Sequence, residues 1–325
     1  MIEQVAKNIY MFPVPLPGSP LKVLNCFVIK GDKKHLMIDV GFNTQVGYDA
    51  ITSAFAELGI SLADTDIFLT HLHADHTGLI EVLKHECGDV YIGELDSLHV
   101  NSNPEDVYWE EYMQKQSLMG FPKGEYLPYT EHPAYTGGVL STTDFIFVTN
   151  GMKFPYGGYN FEAVDLKGHT PGQKGLFDKE SGVFICGDHI LNKISPNINL
   201  WDFKADYLGI FLKNLKKIKD MNVKTVLCGH RALVPDVNER IDELLAHHDR
   251  RLAHCLEILS SGKSTVYEVS NEVEWDYGGG HFRDFPNQQK WFASSEVFAH
   301  LEHLRRLGKV DLKIDHPTFH YSVKA

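Results

Sequence analysis

Thr70-His71-Leu72-His73-Ala74-Asp75-His76-Thr77-Gly78 places four side chains able to ligate a metal within six residues. The stretch follows residues 66–70, which read as a strand, and precedes residues 79–84, which read as a helix start. In an extended segment side chains two apart point the same way, so His71 and His73 can grip one ion. A bend after them lets Asp75 and His76 face a second. Neutral imidazole and carboxylate suit first-row metals, and zinc accepts mixed nitrogen and oxygen donors. A lone histidine is ordinarily a satisfied surface or core residue. That bland reading would have to hold at four positions at once, directly after a buried strand.

Outward from this loop, the first two-thirds of the chain alternates strands and helices. Residues 23–30 and 34–40 are apolar runs separated by Gly31-Asp32, a hairpin signal. Residues 46–58 read as a helix closed by Gly59, and a strand-rich block spans 145–190 with turns at Gly157-Gly158 and Ser181-Gly182. Leu208, Phe211, Leu212, Leu215 and Ile218 have helical spacing, and residues 223–227 read as a buried strand. Further donors stand at strand ends: Gly168-His169-Thr170-Pro171-Gly172, Gly187-Asp188-His189 and Cys228-Gly229-His230. Their glycines leave room for a metal to approach. Each is weak alone, since an aspartate after glycine is usually a turn residue. Together with the cluster they are strong.

The ordered set resembles the metallo-beta-lactamase-fold hydrolases over roughly residues 5–235. The resemblance implies an α/β fold, an αββα sandwich with the site on one edge, in a catalytic domain of residues 1–236. It implies that His71, His73 and His169 hold a first metal, that Asp75, His76 and His230 hold a second, and that Asp188 bridges them. Asp39, in Ile38-Asp39-Val40-Gly41, is similar to the family's aspartate that steadies the metal loop. Flavodiiron proteins of this fold carry glutamate where this chain has His73, so the second histidine favours hydrolysis over redox chemistry. Persulfide dioxygenases share the first histidine motif but use one iron, whereas Asp75, His76 and His230 are all present here. Glyoxalase II is similar in the first motif but differs after the third histidine.

Residues ~95–142 hold Tyr108, Trp109, Tyr112, Phe121, Tyr126, Tyr129 and Tyr135 with Pro104, Pro122, Pro128 and Pro133, and their periodicity is weak. They read either as an insertion forming a lid or as an aromatic subcore. Residues 237–325 read as a long linker helix, a second helix at 264–273, and a third marked by Val297, Leu301, Leu304 and Leu307 before Gly308. The strand Val310, Leu312, Ile314 and the turn Asp315-His316-Pro317 complete a small winged-helix-like domain. This end is similar to lactamase-like endoribonucleases and acyl-thioester hydrolases.

Composition narrows the partners. The net charge is −12, and residues 238–325 carry 11 Lys or Arg against 14 Asp or Glu, a net of −3. Nucleic-acid binding needs a basic face, so this balance disfavours it. The C-terminal domain is expected instead to pack on the site, shape the pocket or form a homodimer. No apolar run reaches the ~20 residues of a membrane helix. The N-terminal Met1-Ile2-Glu3-Gln4 lacks signal-peptide character. A cytoplasmic location is the expectation, which also argues against antibiotic hydrolysis. Five cysteines without a C-x-x-C pair read as reduced, mostly buried thiols.

The expected chemistry uses two Zn²⁺ per chain, although iron or manganese suits the same donors. Two cations about 3.5–4 Å apart lower the pKa of a shared water towards ~7. The hydroxide would attack an ester, thioester or lactone of a small metabolite. Asp75 could orient it or carry its proton onward. His189 could donate to the leaving group, or it could face away from the metals. The alternative is a phosphodiesterase or endoribonuclease acting on single-stranded RNA. A third reading, a binding protein with vestigial metals, conflicts with seven intact candidate ligands. The sequence indicates no substrate-binding residues. Lys174 and Arg231, near ligand motifs, read as surface charge.

Overall fold

Phe27 and Ile29 project to one side of a strand while Leu24, Cys26 and Val28 project to the other, and both sides are buried. A strand covered on both faces must lie between two packed layers. The computed structural model describes residues 1–103, 105–275 and 280–324, so Pro104, counted above among the insertion's prolines, lies outside the described residues.

In chain order the elements are β1 (Glu3–Ala6), β2 (Ile9–Pro15), β3 (Val23–Ile29), β4 (His35–Ile38), α1 (Gln45–Leu58), β5 (Thr65–Phe68), α2 (Ala74–Thr77), α3 (Ile80–Leu83) and β6 (Val90–Gly93). Next come α4 (Glu94–Ser102), α5 (Asp106–Leu118), α6 (Pro133–Gly137), β7 (Ile146–Val148), β8 (Lys153–Phe154), β9 (Phe161–Asp165), β10 (Lys174–Asp178) and β11 (Val183–Gly187). The chain continues through α7 (Tyr207–Lys219), β12 (Thr225–Cys228), α8 (Val237–Ser260), α9 (Val266–Glu272), α10 (Asn287–Arg306), β13 (Val310–Asp315) and β14 (Thr318–Val323).

One sheet has seven strands in the order β1 to β7, and the second has five in the order β12-β11-β10-β9-β8. The first sheet is antiparallel from β1 to β4 and parallel from β4 to β7. In the second, β11 and β12 run parallel and the rest antiparallel. Phe27, Ile38, Phe68, Phe161, Leu176, Ile185 and Leu227 fill the space between the sheets. Ile51 and Phe55 of α1, with Ile80 and Leu83 of α3, cover the outer face of the first. Leu208, Phe211 and Leu215 of α7 cover the outer face of the second. This is the expected αββα layering.

α1 starts at Thr44, whose hydroxyl accepts from the Gly47 N–H, and stops at Gly59, where φ is +64°. α7 starts at Asp206, which accepts from the Gly209 N–H. Cys26, Cys186, Cys228 and Cys255 are buried, Cys87 is partly so, and all five are free thiols.

The insertion is more helical than its sequence suggests. Trp109 of α5 stacks on Tyr129 and meets Tyr135 edge-on, and its indole N–H donates to the Asn103 carbonyl. Aromatic packing around one buried tryptophan, rather than an apolar stripe, holds the helix, which explains the weak periodicity. After α7 the outer core continues without a break into Ile241, Leu244, Val266, Val297, Leu301 and Tyr321. α10 begins ten residues before Val297, and from Lys290 to Leu304 all but Phe292 are buried. Its polar letters hide it from a hydrophobic-period search, yet its buried charges are partnered. Lys290 meets Glu125, Glu296 meets Arg251, and Glu302 accepts from Arg305 and Tyr321.

Candidate metal centre

β5 ends at Phe68, three residues before His71, and the chain turns into α2 at His73, whose carbonyl accepts from the backbone N–H groups of His76 and Thr77. That turn supplies the bend anticipated between His73 and Asp75. The donors at the ends of β11 and β12 arrive beside it. Gly229 belongs here sterically. A Cβ there would lie 2.5 Å from Asp188 Oδ1 and 2.8 Å from His76 Cε1. Asn25 clamps the same loop, its side-chain amide donating to the Cys228 and Arg231 carbonyls.

The seven expected ligands converge. His71, His73 and His169 form one group whose ligand atoms all lie within 4.8 Å of one another. Two further groups of that span are His71, His76, Asp188 and Asp75, His76, His230. His73 Nδ1 lies 3.0 Å from His71 Nε2 and 3.1 Å from His169 Nε2. His76 Nε2 and His230 Nε2 are 3.2 Å apart. Asp188 Oδ1 is 3.5 Å from His76 Nε2, and Oδ2 is 3.4 Å from His230 Nε2. Asp75 Oδ2 is 3.3 Å from His230 Nε2.

The far nitrogens show what the near ones offer. The His71 Nδ1–H donates to Thr70 Oγ1 at 3.0 Å, and the Thr70 hydroxyl donates to Asp39 at 2.8 Å. The His76 Nδ1–H donates to Asp39 at 2.7 Å, the His169 Nδ1–H to the Asn197 carbonyl at 2.6 Å, and the His230 Nδ1–H to the Val23 carbonyl at 2.9 Å. These partners are hydrogen-bond acceptors, so in the neutral rings the four Nε2 atoms carry lone pairs. Lone pair then faces lone pair at 3.2 Å between His76 and His230, an arrangement a cation or a proton must relieve. Asp188 Oδ1 is buried with no hydrogen-bond partner. An orphaned carboxylate oxygen among inward lone pairs fits a metal centre.

Burial pushes His71 well below the usual imidazole range, helped by His76, and pushes His73 down to about 3, helped by His169. Burial alone would raise Asp75, but the neighbouring His230 and the surrounding imidazoles hold it at about 2. Burial opposes charge on His76, yet Asp39 and Asp188 outweigh it and raise that ring. Asp39 occupies the left-handed region with φ +57°, a conformation aspartate tolerates better than most residues.

His189 is the exception. Its ring is fully buried, with a centroid 4.6 Å from that of Phe211. His189 is not among the residues lining the cavity above the cluster, the placement expected of a residue that faces away from the metals. The backbone turns at Gly187, with φ +51°, sending Asp188 inward and its neighbour into the outer core. Lys174 is buried and pairs with Asp165, so it is not surface charge. Arg231 is exposed and reaches the Pro20 carbonyl.

Over the cluster lies a cavity of about 310 Å³, walled by Phe42, Leu72, Tyr108, Tyr112, Leu191, Ile194, Trp201, Trp291 and Phe292. His73, Asp75, His169 and Asp188 form its floor side. Lys115, half-buried, is the one lysine or arginine among the described lining residues. Its ammonium donates to the Trp201 carbonyl at 2.8 Å, and burial lowers its pKa to about 8.

Two residues that support the cluster escaped the sequence. Trp201 stands 6.1 Å from His73, ring to ring, and its indole N–H donates to the His169 carbonyl. Asp96, fully buried, accepts from Leu72 N–H, Thr170 Oγ1 and Gly172 N–H, joining the first histidine loop to the second; burial lifts its pKa to about 7. Neither stands beside a histidine in sequence, so no local signal marks them.

Imidazole and carboxylate donors gathered on strand-end loops of an αββα sandwich define a metal-centre protein. The profile of the metallo-beta-lactamase superfamily matches residues 21–230, and the chain belongs to that superfamily. A protein described as the probable metallo-hydrolase YqjP of Bacillus subtilis is 23% identical over 91% of this chain and 92% of its own. The atrochrysone carboxyl ACP thioesterase AacuM of Aspergillus aculeatus is 24% identical over 74% of this chain and 60% of its own. A metallo-beta-lactamase family protein from Thermus thermophilus superposes with a TM-score of 0.84 at 27% identity, covering 99% of this chain and all of that one. Among the described residues no helix is long and apolar enough to cross a membrane.

Proposed function

We propose that this protein is a dinuclear metal-dependent hydrolase of small-molecule esters, thioesters or lactones. The observation that carries the reading is the aromatic and aliphatic cavity opening directly onto the convergent histidine and aspartate donors. Such a cavity accepts an acyl group or ring and leaves its carbonyl at the donors. His71, His73 and His169 would hold one ion, Asp75, His76 and His230 the other, with Asp188 shared between them. When bound, the pair of ions, which we take to be zinc, supplies an acidified water and a Lewis acid for the carbonyl oxygen.

The chain's own residues do the rest. Asp39, through His76 and Thr70, fixes the rings so that their lone pairs face inward. Asp75 lies at the cavity wall, where it can accept a proton as the acyl carbon is attacked. Trp201 and Trp291 exclude water from the apolar part of the substrate. Lys115 favours substrates with a negative group. The relatives named metallo-hydrolase and thioesterase support the reaction class.

The C-terminal unit has the helix-helix-helix-hairpin order of a winged helix, and we read it as a wall of the pocket. The helix that would enter a groove in nucleic acid, α10, is buried along most of its length, and its Trp291 lines the cavity. The test is a paired assay of the metal-loaded protein: aryl and alkyl esters, acyl-thioesters and lactones against single-stranded RNA. Hydrolysis of the acyl panel, lost in Asp75→Ala, is expected. Cleavage of RNA alone would replace this reading with the phosphodiesterase one. Elemental analysis is expected to give about two zinc ions per chain.

A further inference from the structure

Residues 188–206, between β11 and α7, carry no helix or strand, yet they supply Asp188 and the carbonyl that orients His169. A segment without its own hydrogen-bond ladder keeps its place only through outside partners. Around Asn197 those partners come from the C-terminal helices. Arg240 of α8 donates to the Leu191 and Ile194 carbonyls at 2.7 and 2.8 Å. The Asn197 side-chain amide donates to the Phe292 carbonyl at 3.0 Å and to Glu296 Oε2 at 3.2 Å, both on α10. Glu296 Oε1 in turn accepts from Arg251 Nη1 of α8 at 3.2 Å. The Arg251 guanidinium lies over the Trp275 ring, 4.3 Å from its centroid.

We propose that Glu296 and Arg251 are positioning residues for the metal centre, acting through Asn197 to set the ring of His169. The path is short: guanidinium, carboxylate, amide, then the carbonyl of that same asparagine on the His169 Nδ1–H. Glu296 is buried, Arg251 nearly so and Asn197 half-buried, so solvent blurs the geometry little at the ion pair. Burying a carboxylate and a guanidinium is costly, and an apolar pair of similar volume would hold α8 against α10 as well or better. What the ion pair adds is direction. The Glu296 carboxylate can point at the Asn197 amide only while Arg251 takes its other oxygen. Burial would raise that carboxyl, but the guanidinium holds it down at about 2, so the pair stays ionised across the neutral range.

The inference rests on the metal-centre reading above, and its test reads binding rather than turnover. The full-length protein is stripped with a chelator and titrated with Co²⁺, followed by visible absorption and by competition with a chromophoric chelator. Two ions are expected in the wild type. Loss of an outer partner of a metal-ligating histidine typically weakens binding about 10–100-fold. Glu296→Leu and Asn197→Ala are one step more remote, so each is expected to weaken one ion about tenfold and alter its absorption bands, leaving the other within error. Asn197→Ala keeps the Glu296–Arg251 pair and removes no charge, so it separates orientation from field effects and from loss of folding. Val269→Ala, a core deletion in α9, is the stability control and should lower the melting temperature without changing either affinity. Folded Glu296→Leu and Asn197→Ala proteins that bind both ions like the wild type would overturn the proposal while leaving the metal centre standing. A wild type that binds no ion would overturn both.

Discussion

Asp39 Oδ2 accepts the His76 Nδ1–H at 2.7 Å, while Oδ1 of the same carboxylate accepts the Thr70 backbone N–H, also at 2.7 Å. One carboxylate thus fixes both ends of the histidine loop. Asp39→Ala should therefore weaken metal binding by roughly 10–100-fold, and Asp39→Asn by less, because an amide oxygen still accepts. Competition with a chromophoric chelator measures it. Unchanged affinity in a folded Asp39→Ala protein would refute the role.

Inward lone pairs repel, so ion binding should stabilise the fold. At a free metal concentration about 100 times the dissociation constant the gain is about 2.7 kcal/mol per site. Melting of chelator-treated protein should shift upward on adding Zn²⁺, and the shift should shrink in His230→Ala. A melting temperature indifferent to metal would count against the centre.

His189 packs on Phe211 away from the cavity. Loss of a general acid typically costs about 10²–10⁴-fold in rate. His189→Gln should lose far less than that in kcat, and its effect should fall on stability instead. A hundredfold loss of kcat with unchanged melting would restore the proton-donor role.

Lys115 titrates at about 8, lowered by burial, so its ammonium is charged below that pH and neutral above it. Substrates bearing a carboxylate should bind better than matched neutral esters below pH 8. The advantage should fade as pH rises through that value. Lys115→Met should abolish it at every pH, seen as a rise in KM for the anionic ester alone.

Phe27 is buried between the sheets with Ile38 and Phe68. Phe27→Ala should cost about 3–5 kcal/mol of unfolding free energy, read from denaturant titration, with metal stoichiometry preserved in the protein that remains folded.

The sequence by itself determined the cluster of candidate metal ligands and the layered α/β scaffold. His71, His73, Asp75 and His76 lie so close along the chain that local geometry alone brings them together, and residues 23–30 read as an apolar run, the pattern of a strand covered on both faces. The motifs at His169, Asp188 and His230 were legible because each ends a strand with glycine beside it. Tertiary structure alone decided the pocket and the outer supports. Lys115, Trp201 and Trp291 meet across intervals of 86 and 90 residues, and no periodicity encodes such an approach. α10 looked polar along half its length because its buried charges are satisfied by partners far away in sequence. His189, adjacent to a ligand, fell outside the site because neighbouring side chains on a turning backbone point apart.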